Sequence, residues 1–71
     1  MSEVQSVIFK LDKGWSPKEA KAWLSSHKYK PIKAVHRTSD SLRYRIREPR
    51  EFSRFRTEVL KNGISLVLGF K

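Results

Sequence analysis

A chain of 71 residues with 16 Lys plus Arg against seven Asp plus Glu carries a formal net charge of +9 at pH 7, which fits one small basic domain, residues 1–71, with anionic partners. It has no cysteine, so disulfides and thiolate metal sites are excluded, and a chain this short buries only about 60% of its unfolded surface, too little for a deep catalytic cleft. No apolar run approaches the roughly 18 residues of a membrane span, and residues 1–5 lack the basic-then-apolar order of a signal peptide, so a soluble, unexported, intracellular protein is expected.

Residues 4–11 alternate as a strand, with Val7, Phe9 and Leu11 on one face and Ile8 beside Lys10 on the other. Asp12-Lys13-Gly14 supplies a turn. Ser16 is then placed to cap a helix, Pro17 to fill its first position, where a missing N–H costs nothing, and Glu19 to complete a capping box. Trp15, just before the cap, stands where a staple residue packs back on the first turn. Over residues 17–27, Ala20, Trp23 and Leu24 form an apolar stripe and leave Lys18, Lys21 and Ser25 outside. Tryptophans at this spacing belong to a core more often than to a base-stacking platform. His27 extends the same stripe as a capping or packing residue rather than a ligand, and the helix must end before Pro31.

Residues 32–38 predict a second strand and Ser39-Asp40-Ser41 a turn into the next, residues 41–47, giving an antiparallel hairpin. This third strand has the clearest periodicity in the chain: Leu42, Tyr44 and Ile46 share one face, and Arg43, Arg45 and Arg47 form a row about 7 Å apart on the other. Glu48-Pro49 breaks the strand and residues 49–52 read as one helical turn. Residues 52–62 fit a helix through Phe52, Phe55 and Val59, or a strand through Phe55, Thr57 and Val59. The β-branched residues, the missing cap and the Asn62-Gly63 pair favour a hairpin with a two-residue turn, after which Ile64, Leu66, Leu68 and Phe70 face inward on the last strand. The expected fold is α+β, with one N-terminal helix packed on a mostly antiparallel four- to five-stranded sheet in the order β-α-β-β-short helix-β-β.

The ordered set Trp15, Ala20, Trp23-Leu24 and His27, then Tyr44-Arg45-Ile46-Arg47-x-Pro49-x2-Phe52, then Phe55-Arg56-Thr57, then Gly63-Ile64 and Gly69 resembles a small domain of tailed-phage and other viral proteins. That domain occurs alone or beside head-maturation protease domains. Such sequences usually place glycine after the histidine, where this chain has Lys28; a non-glycine in a left-handed helix terminus costs up to about 1 kcal/mol. The resemblance implies a viral or prophage setting, in the virion or the infected host cell, and no settled biochemical activity.

All seven arginines fall within residues 37–56, while the nine lysines are spread over the rest of the chain. Arginine presents a planar fork of donors and stacks on bases, whereas lysine is a hydrated point charge. The expected function is therefore largely sequence-independent nucleic-acid binding, DNA or RNA, by Arg37, Arg43, Arg45, Arg47, Arg50, Arg54 and Arg56 with Lys33. Tyr44, Phe52 and Phe55 lie among these arginines as candidate stacking groups, although strand parity turns Tyr44 away from its arginine neighbours. The alternative is a viral assembly or interaction module that meets an acidic protein partner, and an exposed edge strand offers pairing with a second copy. An enzyme is not expected, because His27 and His36 lie on separate elements and a catalytic base needs a second group in reach. Two isolated histidines and dispersed carboxylates show no metal-ligand spacing, and no cofactor motif is present. A membrane role is not expected, since the helix's apolar face is taken by the sheet. No helix-turn-helix, zinc-finger or RNP signature appears.

Overall fold

Val7 and Phe9 are fully buried, and they lie on the strand that the rest of the fold is built around. The computed structural model describes residues 2–71. In chain order it has β1 (Ser2–Lys10), a 3-10 turn (Leu11–Lys13), α1 (Pro17–Ser26), β2 (His36–Arg37), β3 (Ser41–Arg45), a 3-10 turn (Pro49–Glu51), β4 (Arg54–Val59), a 3-10 turn (Lys61–Gly63) and β5 (Ile64–Phe70). The strands form one five-stranded antiparallel sheet in the order β2-β3-β1-β5-β4. This is the expected α+β class, with one helix on an antiparallel sheet. Among the described residues, no helix is long and apolar enough to cross a membrane.

One face of the sheet meets α1. Val7 and Phe9 of β1, Leu42 and Tyr44 of β3 and Ile64 of β5 join Ala20 and Leu24 of the helix in a single buried cluster. Phe9 is its hub, with ring centroids 4.9 Å from Trp15, 5.6 Å from Trp23 and 5.8 Å from Tyr44. Both tryptophans are therefore partly buried packing residues. Each buried apolar side chain contributes about 1.5–3 kcal/mol, so a core of seven residues leaves little reserve. Trp15 is also held from beyond the helix, because its indole N–H donates to the Asn62 carbonyl at 2.7 Å.

The helix start follows the sequence with one difference. Ser16 Oγ accepts the Glu19 N–H at 3.3 Å, and Pro17 occupies the first turn. Glu19 Oε1, however, accepts the Ser16 hydroxyl at 3.2 Å, a side-chain contact in place of the reach back to the Ser16 N–H. At the other end Tyr29 N–H donates to Leu24 O at 2.9 Å and Lys28 N–H to Ser25 O at 3.1 Å, the paired closure of a Schellman motif. Lys28 sits at its left-handed position with φ 63, where the resemblance placed glycine. His27 caps the helix, and its ring stacks on Trp23 at 3.9 Å.

Three boundaries differ from expectation. The second strand shrinks from residues 32–38 to His36–Arg37. Pro31 has no donor, and Ile32 keeps a single ladder-like bond, its N–H to Arg45 O at 2.9 Å; Tyr29 and Val35 turn instead toward the core beside the helix end. Leu11 leaves β1 for the 3-10 turn while still packing against the core. The third strand stops at Arg45 rather than Arg47, because β1 bulges at Gln5. Gln5 O there accepts both Ile46 N–H at 2.8 Å and Arg47 N–H at 3.1 Å, and the ladder cannot continue past one carbonyl serving two donors.

The most consequential difference is the β4–β5 connection. Residues 54–59 form a strand, as preferred, and Asn62 and Gly63 both have positive φ (64 and 76). Yet Leu60 N–H donates to Ile64 O at 2.7 Å, so the loop contains three residues, Lys61 to Gly63, in place of two. Pairing is consequently Phe55↔Gly69, Thr57↔Val67 and Val59↔Ser65. A two-residue loop sets Phe55, Thr57 and Val59 opposite Phe70, Leu68 and Leu66. One residue of slip moves a whole strand's side chains to the other face, and here it moves Phe55, Thr57 and Val59 away from the helix.

Candidate nucleic-acid interface

Side chains of paired residues in an antiparallel sheet point to the same side, so the registers define the face opposite α1. One row across it runs His36, Arg43, Ile8, Ser65, Val59. The next runs Arg45, Ser6, Val67, Thr57, and the third Glu3, Gly69, Phe55. Among the described residues no second helix covers this face. At one end Phe52 lies over Gly69, where an added Cβ would meet the Phe52 ring carbon at 2.3 Å. Phe55 stands edge-on to Phe52 with centroids 6.1 Å apart and remains 48% exposed. The open face thus carries arginine on β3 and an aromatic on β4, separated by three strand spacings, about 14 Å.

The eight candidate residues do not form one surface. Lys33, Arg43 and Arg45 come together with His36 and Ala34 around a recess of about 390 Å³ beside β3. Lys33 Nζ lies 3.7 Å and Arg45 Nη1 4.0 Å from the two oxygens of Glu48. Arg47, beyond the bulge, is tied on two sides: Nε is 3.5 Å from Glu3 Oε2 and Nη1 is 3.7 Å from Glu51 Oε1. Glu3 Oε2 is enclosed and has no hydrogen bond, so the Arg47 charge is what compensates it. Arg43 has no carboxylate within ion-pair distance among the described residues and is exposed on β3, one strand in from the β2 edge.

Arg37 pairs with Leu42 and so lies on the helix side of the sheet. Arg54 and Arg56 also leave the candidate face, because the hairpin register turns them with Glu58 to the helix side, where Arg56 Nε sits 3.9 Å from Glu58 Oε1. Arg50 is exposed on the 3-10 turn at the end of the sheet. The ion pairs at 3.5–4.0 Å are longer than direct charge-assisted hydrogen bonds, about 2.7–2.9 Å. Half-exposed pairs of this kind contribute about 0–1 kcal/mol, so Glu48 holds Lys33 and Arg45 only loosely.

The aromatics sort differently from their sequence neighbourhood. Tyr44 is buried, its hydroxyl donating to Pro17 O at 3.4 Å, and burial raises its pKa above the ordinary value of 10.0. It is a core group turned away from the arginine face. Phe52 is buried over Gly69, which leaves Phe55 as the aromatic of the set that is exposed. His36 was not among the expected contacts. Its place opposite Arg43 follows from the β2–β3 hairpin, expected from residues 32–38 and the Ser39-Asp40-Ser41 turn and closed by Thr38 N–H to Ser41 O at 2.9 Å. A second feature that the sequence does not signal is a groove of about 570 Å³ between α1 and residues 28–35, floored by Leu24, Val35 and Tyr44 and edged by Lys21 and Lys28.

No family model, curated protein or solved structure matches this chain.

Proposed function

We propose that the protein binds single-stranded nucleic acid, without strong sequence preference, across the open face of its sheet. The observation that carries this reading is that Arg43, Arg45 and the exposed Phe55 share that face. Single strands are held by aromatic groups that stack on bases and by cations that track phosphates, and Arg43 and Phe55 are both exposed. About 14 Å between β3 and β4 spans roughly two nucleotides of an extended strand. The net charge of +9 supplies the long-range attraction. Lys33 extends the cationic edge around the recess, beside His36. The viral or prophage setting, with the virion or the infected cell as its location, belongs to the same proposal and rests on the motif resemblance.

The test is a filter-binding titration against single- and double-stranded DNA and RNA at several salt concentrations. Replacing Arg43 and Arg45 together by Gln is expected to weaken binding to every sequence. The slope of log affinity against log salt should also flatten by about 0.7 for each phosphate of a single strand that is no longer neutralised. Phe55→Ala is expected to lower affinity by about 1–3 kcal/mol per stacked base while leaving the salt slope alone. If both variants bind like the parent with the same slope, the open face is a solvated surface and an acidic protein becomes the partner to seek.

A further inference from the structure

The two edges of the sheet are unlike. β2 offers two residues, whereas β4 offers six, all exposed along their length. An unpaired edge of that length is a template for another strand unless it is blunted. The bond from Leu60 N–H to Ile64 O sets which main-chain groups are free, because hydrogen-bonded and non-bonded positions alternate in an antiparallel ladder. Leu60, Glu58, Arg56 and Arg54 turn their N–H and C=O groups toward β5. Phe55, Thr57 and Val59 turn theirs outward.

We infer that two copies of this chain pair through their β4 edges, antiparallel, about a two-fold axis at Thr57. Free N–H and C=O groups on alternate residues restrict a symmetric pairing to centres at residue 56, 57 or 58. Centred at 56, two Arg54–Glu58 pairs are made but Arg56 opposes the partner's Arg56 between them, and centred at 58, Glu58 opposes the partner's Glu58; like charges directly opposite are destabilising. Centred at 57, Arg56 faces the partner's Glu58 and Glu58 the partner's Arg56. In the same register Phe55 lies against the partner's Val59, and Thr57 against the partner's Thr57. Phe55 and Val59 are among the most exposed large apolar residues, at 48% and 77%, so this register covers apolar surface as it matches charge. Of the three alignments, the one at Thr57 alone matches opposite charges with no like pair while setting Phe55 against Val59.

Such a pairing makes one ten-stranded sheet and closes the long edge of each copy. Growth beyond two is limited, because the edges left outside are the two-residue β2 strands. The two-fold axis is perpendicular to the sheet, so both open faces lie on one side and both helices on the other. Phe55 and Arg43 of each copy then belong to one continuous surface. The pairing stands independently of the nucleic-acid proposal and is measured without nucleic acid.

The experiment is sedimentation equilibrium of the full chain over a wide concentration range, in low and moderate salt. A monomer–dimer equilibrium is expected, and no higher species. Thr57→Pro removes an N–H that points away from β5, so the ladder within each copy survives while the pairing is abolished. Arg56→Glu alone, or Glu58→Arg alone, sets like charges against each other at both ends of the axis and is expected to raise the dimer dissociation constant by about tenfold. The two substitutions together restore opposite charges and are expected to restore the dimer. A chain that stays monomeric at every concentration overturns the proposal. So does a dimer that the single charge reversals leave unchanged, which also decides the matter if Thr57→Pro fails to fold.

Discussion

At the scale of single residues, Lys28 shows how a small energetic concession sits in an otherwise well-formed helix end. Both Schellman hydrogen bonds are made, so the geometry is complete, but a side chain with a Cβ holds φ 63. Glycine adopts that region freely. Lys28→Gly is expected to stabilise the protein by up to about 1 kcal/mol, read from chemical denaturation with unchanged slope. The result separates conformational strain from any contribution of the lysine charge, for which Lys28→Ala is the control. Arg47 teaches a related lesson about charge. In sequence it was one of three equivalent arginines; in the fold it compensates an enclosed Glu3 oxygen and contacts Glu51, while Arg43 is left to solvent. Equal residue types in one periodic row therefore carry unequal duties.

At the scale of elements, the β4–β5 loop decides which face Phe55 occupies. Gly63 enables it twice over: its φ is 76, and an added Cβ would stand 2.4 Å from Lys13 Cγ and 3.0 Å from Lys13 Cβ. Trp15 secures the same loop through the Asn62 carbonyl. Gly63→Val is expected to destabilise by about 2 kcal/mol or more, combining the left-handed backbone with a clash against the preceding turn. Thermal or chemical melting measures the loss, and amide exchange across residues 54–60 shows whether the hairpin opens first. The hairpin itself was legible from Asn62-Gly63 and the β-branched residues. Its register was not, because Lys61 is a competent loop or strand residue, and only the docking of the loop on Trp15 and Lys13 selects between them.

At the scale of the whole molecule, a net charge of +9 on 71 residues works against compactness. The five loose ion pairs among the described residues offset part of the repulsion, but cations outnumber carboxylates by more than two to one. Salt screens the many repulsions more than it weakens a few short-range pairs. The thermal midpoint is therefore expected to rise as ionic strength increases from about 0.01 M, where charges interact over roughly 30 Å, to about 0.15 M, where they reach roughly 8 Å. A midpoint that falls over this range would show that the ion pairs outweigh the excess charge. Under the proposed function, a bound polyanion would add to the stability of this small, highly charged domain by mass action.

Legible in the sequence were the class of fold, the cap at Ser16 and Pro17, the inward set Val7, Phe9, Leu42 and Tyr44, and the outward parity of Arg43 and Arg45. These are local or periodic properties, set by hydrogen-bonding groups within a few residues and by alternation along one strand. Long-range pairing, not local pattern, takes Arg54 and Arg56 off the arginine face, puts Phe55 on it, keeps β2 short and sets Glu3 against Arg47. Each of these depends on which backbone group of a distant strand takes a given hydrogen bond, and a one-residue choice there, at the Gln5 bulge or at Lys61, reassigns every side chain beyond it.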